Sequence, residues 1–240
     1  MLMNIKIYNN THACKVCYNY LMLKLENPKE LIATITPVRL SSYDNSSSDL
    51  SLERYVYNLR ISEALYPAIA LLEVALRNKI CYAIETLICK DWLIAELSKQ
   101  NLLLDKEYKK LVETADKIEK DGKKVTNDRL ISELTFGFWI HLCTKSYKPK
   151  FWDKKGFIEL VFPNYTVSSN LRNISLIQKD LRDVLKLRNR ISHQEIIING
   201  NRTPEESYKL IQTLLHTLSS GMYALLEDIS RFNAITKQKP

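Results

Sequence analysis

Residues 65–87 read LYPAIALLEVALRNKICYAIETL. Within them Leu65, Ile69, Leu72, Leu76, Ile80, Ile84 and Leu87 recur at spacings of three and four. An α-helix turns once every ~3.6 residues, so this spacing gathers all seven onto one face, whereas a strand would alternate. The stretch predicts a long helix with one buried stripe. Pro67 sits where a helix begins, because proline fits a first turn, and a separate helix is expected before it, from Leu50 to about Ala64. Asn45–Asp49 (NSSSD) is a polar loop able to cap that helix. Downstream, helices are expected over Asp105–Lys120, ending at Asp121-Gly122, and from a cap at Asn127 or Asp128 to about Cys143. Two more run over Ser168–Ile191 and Thr203–Phe232. Thr203-Pro204-Glu205-Glu206 opens the last with a threonine cap, proline in the first turn and glutamate at the third position. Lys148–Leu160 is a shorter segment, and Ile196–Ile198 is the only β-like run. The reading is an all-α bundle of about five to seven helices.

Composition agrees. The 240 residues are 45% hydrophobic and 26% charged, which excludes wholesale disorder. Five glycines and seven prolines are too few for the many turns of a sandwich, a barrel or a doubly wound sheet. Lys and Arg total 35 against 27 Asp and Glu, a net charge of +8, which points to a polyanionic partner, nucleic acid before membrane surface. No apolar run reaches the roughly 18 residues of a membrane span, since Glu73 interrupts Tyr66–Leu76, so no membrane partner is expected. Residues 1–25 carry no clear period and no signal-peptide pattern. They read as an N-terminal extension, poorly ordered or packed as an arm, followed by a single domain over 26–240 in a cytoplasmic protein. Five cysteines, an odd number, fit reduced thiols. Cys14-x-x-Cys17 lacks the second pair a zinc site needs, so no metal and no cofactor is expected.

The chemistry concentrates in residues 179–195, KDLRDVLKLRNRISHQE. Ile174, Ile177, Leu181, Val184 and Leu185 form an apolar stripe. Arg188 continues that stripe and is expected to face the core or an interface, where an unpaired cation is costly. Arg182, Lys186, Arg190 and His193 fall on a second stripe, a basic ridge suited to tracking phosphates. Arg188 and His193, five residues apart, lie roughly 140° apart around a straight helix. They can meet at one phosphate only if the helix unwinds near Ser192 or if two copies face each other, so a homodimer is expected.

Arg188-Asn189-Arg190-Ile191-Ser192-His193 resembles the R-x4-6-H signature of HEPN domains, and RNRISHQE is similar to the RNRxxHxE ending of the bacterial Abi-like (abortive infection) family. Similarity to that family extends over Tyr57–Ile80 and Ile131–Trp152, three blocks in order within about Arg39–Phe232. Gln194 stands where the family frequently has a second histidine. The resemblance implies an all-α HEPN-like bundle, dimerisation, and metal-independent endoribonuclease activity in phage defence or as a toxin. On matching residues it implies Arg188 and His193 as catalytic, with Asn189 in support. The residue types suit RNA, which carries its own nucleophile in the 2′-OH: histidine is the side chain that both takes and gives protons near neutrality, and arginine offers paired donors to phosphate oxygens. RNA is thus the expected partner, with Arg182, Lys186 and Arg190 as its phosphate contacts and an antitoxin or regulator as a further one.

Glu73 and Arg77 flank the stripe of the long helix four residues apart and most simply pair with each other. Glu73 pairing with Arg188 instead would set that side chain's orientation. Phe136, Phe138, Trp139 and Trp152 read as core. Lys145–Lys155 interleaves lysine with Tyr147, Phe151 and Trp152, a mix that either stacks and tracks single-stranded RNA or forms a solvated surface. His12, His141 and His216 read as structural or exposed. A HEPN module that binds RNA or protein without cleaving is the alternative function. A helical DNA-binding regulator is disfavoured, as no compact helix-turn-helix segment is evident.

Overall fold

The computed structural model describes residues 28–44, 47–99, 102–165, 174–200 and 202–240. Residues 1–27 lie outside the described residues, and with them the whole expected extension, His12, Cys14 and Cys17. The chain is all-α, with no strand among the described residues. Its helices are α1 (Pro28–Ile35), α2 (Pro37–Ser41), α3 (Ser48–Leu87), α4 (Trp92–Lys99), α5 (Asp105–Lys120), α6 (Asn127–Glu133) and α7 (Phe136–Leu142). A 3₁₀ turn (Lys145–Tyr147) and a π-helical turn (Lys148–Trp152) lead to α8 (Phe157–Val161). Then follow α9 (Ile174–Ser192), α10 (Pro204–Leu218), α11 (Ser220–Ile229) and α12 (Phe232–Thr236).

These helices outnumber the expected five to seven because capping residues divide the longer segments. Thr203–Phe232 is broken at Ser219, whose extended backbone ends α10 while its side chain accepts the Met222 N–H that starts α11. The expected helix ending at Cys143 is broken at Leu134, and Thr135 caps α7. Thr126, not Asn127 or Asp128, caps α6; Asn127 is buried and bridges Glu85 and the Leu93 N–H. Elsewhere local reading holds. Thr203 and Glu206 form both halves of the capping box, and α5 stops before Gly122, which is left-handed at φ +70°. The Ser47 hydroxyl accepts the Leu50 N–H at the start of α3.

The break expected at Pro67 does not occur, for α3 runs unbroken for 40 residues. Proline removes one hydrogen bond, to the carbonyl of Glu63. That residue is exposed, while Ile61, Ala64 and Leu65 on one side of Pro67 and Ala68, Ile69 and Leu72 on the other are all buried. Packing of a continuous stripe outweighs one lost bond on the solvent side.

The described residues group into two compact units, 28–57 with 237–240, and 58–236. In the first, Arg54 pairs with Asp44 at 3.1 Å and Tyr43 meets the Tyr55 ring edge-on. In the second, Leu65, Ile69, Leu72, Leu76, Ile80 and Ile84 are buried as expected, with Trp92, Phe136, Phe138 and Trp139. Helix α7 packs against both α5 and α9, and α9 against α10. In the Lys145–Lys155 segment the rings form no stacking platform, while Lys145, Lys148, Lys154 and Lys155 are exposed, as a solvated surface requires. Tyr147 and Phe151 stack on each other, Trp152 donates its indole N–H to the Leu142 carbonyl at 2.7 Å, and all three are buried. No described helix is long and apolar enough to cross a membrane.

Candidate nucleic-acid site at the end of helix α9

Ile174, Ile177, Leu181 and Val184 bury one side of α9. Gly137 of α7 lies close against Leu185, where a Cβ would stand 3.7 Å from the leucine methyl. Burial ends there. Arg188, one turn further, is exposed; of the core or interface that its place on the stripe suggests, it does not face the core. Its guanidinium donates only to the neighbouring Asn189 side chain, at 3.5 Å, among the described residues. Asn189 is exposed too.

The helix stays wound through Ser192 and leaves by a two-bond exit. The Glu195 N–H bonds back to the Arg190 carbonyl (2.8 Å) and the Gln194 N–H to the Ile191 carbonyl (3.0 Å), with Gln194 left-handed at φ 55°. This is the pairing of a Schellman cap, with His193 as the last half-helical residue. Arg190 and Glu195, the positions that usually make the cap's apolar contact, form an ion pair at 3.5 Å instead. A side chain at Gly200 would come within 2.7 Å of the Arg190 guanidinium, so glycine there leaves room for it. Gln194 carries a Cβ in a backbone region that favours glycine. Gln194→Gly is therefore expected to raise stability by about 1 kcal/mol, read as a higher urea midpoint at unchanged slope; a lower midpoint would contradict the strain.

His193 is exposed, and its imidazole makes no hydrogen bond or ion pair among the described residues. The expected ridge is only partly open. Lys186 lies 3.7 Å from Asp183, which also pairs with Arg202 at 3.2 Å, and Arg190 is held by Glu195. Arg182 is exposed with no ion pair among the described residues. Arg188 and His193 share no hydrogen bond, and the intact last turn rules out meeting by unwinding. Half-buried Glu73 pairs with neither Arg77 nor Arg188.

One residue of the site's frame escaped the sequence reading. Asn58 on α3 is buried; its amide donates to the Glu195 carbonyl (3.3 Å) and its side-chain oxygen accepts the Ile197 N–H (2.8 Å). It ties down the strand of chain that leaves α9 directly after His193. The available signal was a polar residue set three before Ile61 and seven before Leu65, in register with the apolar stripe.

Among the described residues no three His, Cys, Asp or Glu side chains gather as a metal site, and Cys81, Cys89 and Cys143 are free thiols. No protein-family model matches this chain, and comparison with curated proteins and with solved structures likewise gives no match.

Proposed function

We propose that this chain is a metal-independent endoribonuclease of the Abi-like HEPN type, cytoplasmic and acting in phage abortive infection or as a growth-arresting toxin. The observation that supports this reading is the state of Arg188 and His193: both exposed, at the end of a capped helix, with no charged partner among the described residues. A cation and a proton-transfer group so placed are available to a phosphodiester. In the reaction, one imidazole takes the proton of the 2′-OH as its oxygen bonds to phosphorus. The P–O5′ bond breaks, and a second, protonated imidazole returns a proton to the leaving 5′-oxygen. Arg188 meets the charge that builds on the non-bridging oxygens. Two imidazoles and two guanidiniums at one phosphate require two copies of the chain, so the enzyme acts as a homodimer, and an antitoxin or regulator restrains it. Purified protein in EDTA is expected to cut RNA to 2′,3′-cyclic phosphate ends and to spare DNA, which lacks the nucleophile. Cleavage of DNA at a similar rate would end this reading.

The separation of Arg188 and His193 within one chain also favours a second reading, a module that binds RNA or protein without cutting. Stable RNA binding with no cleavage by a dimeric preparation would select it.

A further inference from the structure

Buried carboxylates need partners, and Glu107 of α5 has two. The Tyr147 hydroxyl donates to its Oε2 at 2.9 Å, and His141 Nδ1 of α7 lies 3.3 Å from its Oε1. The tyrosine oxygen in turn accepts the Leu104 N–H at 3.0 Å, so the carboxylate is held from behind. The Nδ1 side of the imidazole thus faces a fixed acid, and its other nitrogen, Nε2, is left over. The His141 side chain is 41% exposed although Glu107 is only 5% exposed. The imidazole thus bridges from the core to the surface.

Two helices bring positive charge to this point. Lys106 and Lys110 flank Glu107 on α5, and Arg182 comes from α9, which also packs on α7. All three act on His141 as cations, and none has an ion pair among the described residues. Together with burial, which is the largest cause, they hold the imidazole below its usual pKa despite Glu107. Uncompensated cations that converge on one oriented imidazole leave a place for an anion, which would relieve their mutual repulsion and draw a proton onto Nε2.

We propose that His141, Lys106, Lys110 and Arg182 form a binding subsite for a phosphate-class oxyanion, with Glu107 orienting the imidazole. Arg182 lies six residues before Arg188, roughly 9 Å along α9 and about 120° around it, so the two stand on different faces of that helix. The subsite rests on the ribonuclease reading only in assigning the natural ligand as an RNA phosphate at a distance from the cut; free phosphate offers the same chemistry.

The test uses histidine-ring NMR spectra of the full chain with 15N-labelled histidine. It is titrated separately with inorganic phosphate and with a single-stranded oligodeoxyribonucleotide, which cannot be cleaved. The His141 ring signals are expected to move saturably and toward the protonated form, more tightly at lower pH with the oligonucleotide. Lys106→Gln/Lys110→Gln is expected to weaken binding by roughly tenfold. Response to the oligonucleotide alone supports a polymer ligand, and to phosphate alone a small one. Signals unmoved by both, or moved alike in the double variant, overturn the subsite. Glu107→Gln keeps a hydrogen-bonding side chain in the core and is expected to change the Nδ1 signal and blunt the response. The readout needs no cleavage: an active nuclease with an unresponsive His141 refutes the subsite alone, and an inactive protein with a responsive His141 refutes the nuclease alone.

Discussion

His193→Ala is expected to lower RNA cleavage by about 10²–10⁴-fold, the usual contribution of a positioned proton-transfer group. Arg188→Ala is expected to cost about 10²–10³-fold, as for loss of one charge-stabilising donor. Both side chains are exposed and outside every packed contact of α9, so either change should leave stability within about 0.5 kcal/mol. Lost activity with an unmoved thermal midpoint separates chemistry from folding. Mixing wild type with His193→Ala carries the test further. A mixed dimer holds one intact imidazole. If both imidazoles serve one phosphate, added variant lowers activity below the share expected from the wild type alone; if each chain works by itself, activity follows the wild-type share. Unchanged cleavage in both single variants would move the active site elsewhere or identify a contaminating nuclease.

Asn58→Leu is expected to destabilise the chain by about 2–4 kcal/mol, among the largest effects of any single polar substitution here. The leucine removes the acceptor of a buried N–H, that of Ile197, and the donor to the Glu195 carbonyl. An orphaned buried polar group costs about 1–3 kcal/mol, and two groups lose their partner at once. Asn58→Asp keeps the acceptor for Ile197 but sets a buried carboxylate oxygen against the Glu195 carbonyl, so it is expected to destabilise as well, least at low pH where the acid can donate. The loss is local in consequence, because the freed segment begins two residues after His193. Hydrogen exchange at the Ile197 amide should speed up in both variants, and most in Asn58→Leu. A stable Asn58→Leu protein with a protected Ile197 amide would mean that the cap at Gln194 holds the exit without α3.

The all-α class, the stripe of α3, the stop at Gly122 and the Thr203–Glu206 box were legible because each depends on residues within a turn or two of one another. Local spacing also placed Arg188 and His193 close to the end of a helix. Failures came where partners are distant. The stripe rule set Arg188 against the core or an interface; it is not in the core, because a stripe is buried within the chain only as far as neighbouring helices reach, and on α9 that limit is Val184 and Leu185. Pro67 read as a boundary because its cost is local, while the burial that outweighs it comes from across the core. Alternating lysines and aromatics between 145 and 155 look alike whether the rings face water or protein, and a 3₁₀ turn followed by a π turn sends Tyr147, Phe151 and Trp152 inward.

Sequence by itself therefore determined the helical class and the polar residues at the end of α9, since periodicity and capping are properties of neighbouring residues. Tertiary structure alone decided which cations are held and which have no ion pair among the described residues. Arg190 is tied to Glu195, Arg182 is left open beside His141, and Glu107 meets Tyr147 from 40 residues away. Asn58 reaches Glu195 across 137 residues. Burial and ion pairing are set by what stands opposite a side chain in space, and spacing along the chain carries no record of it.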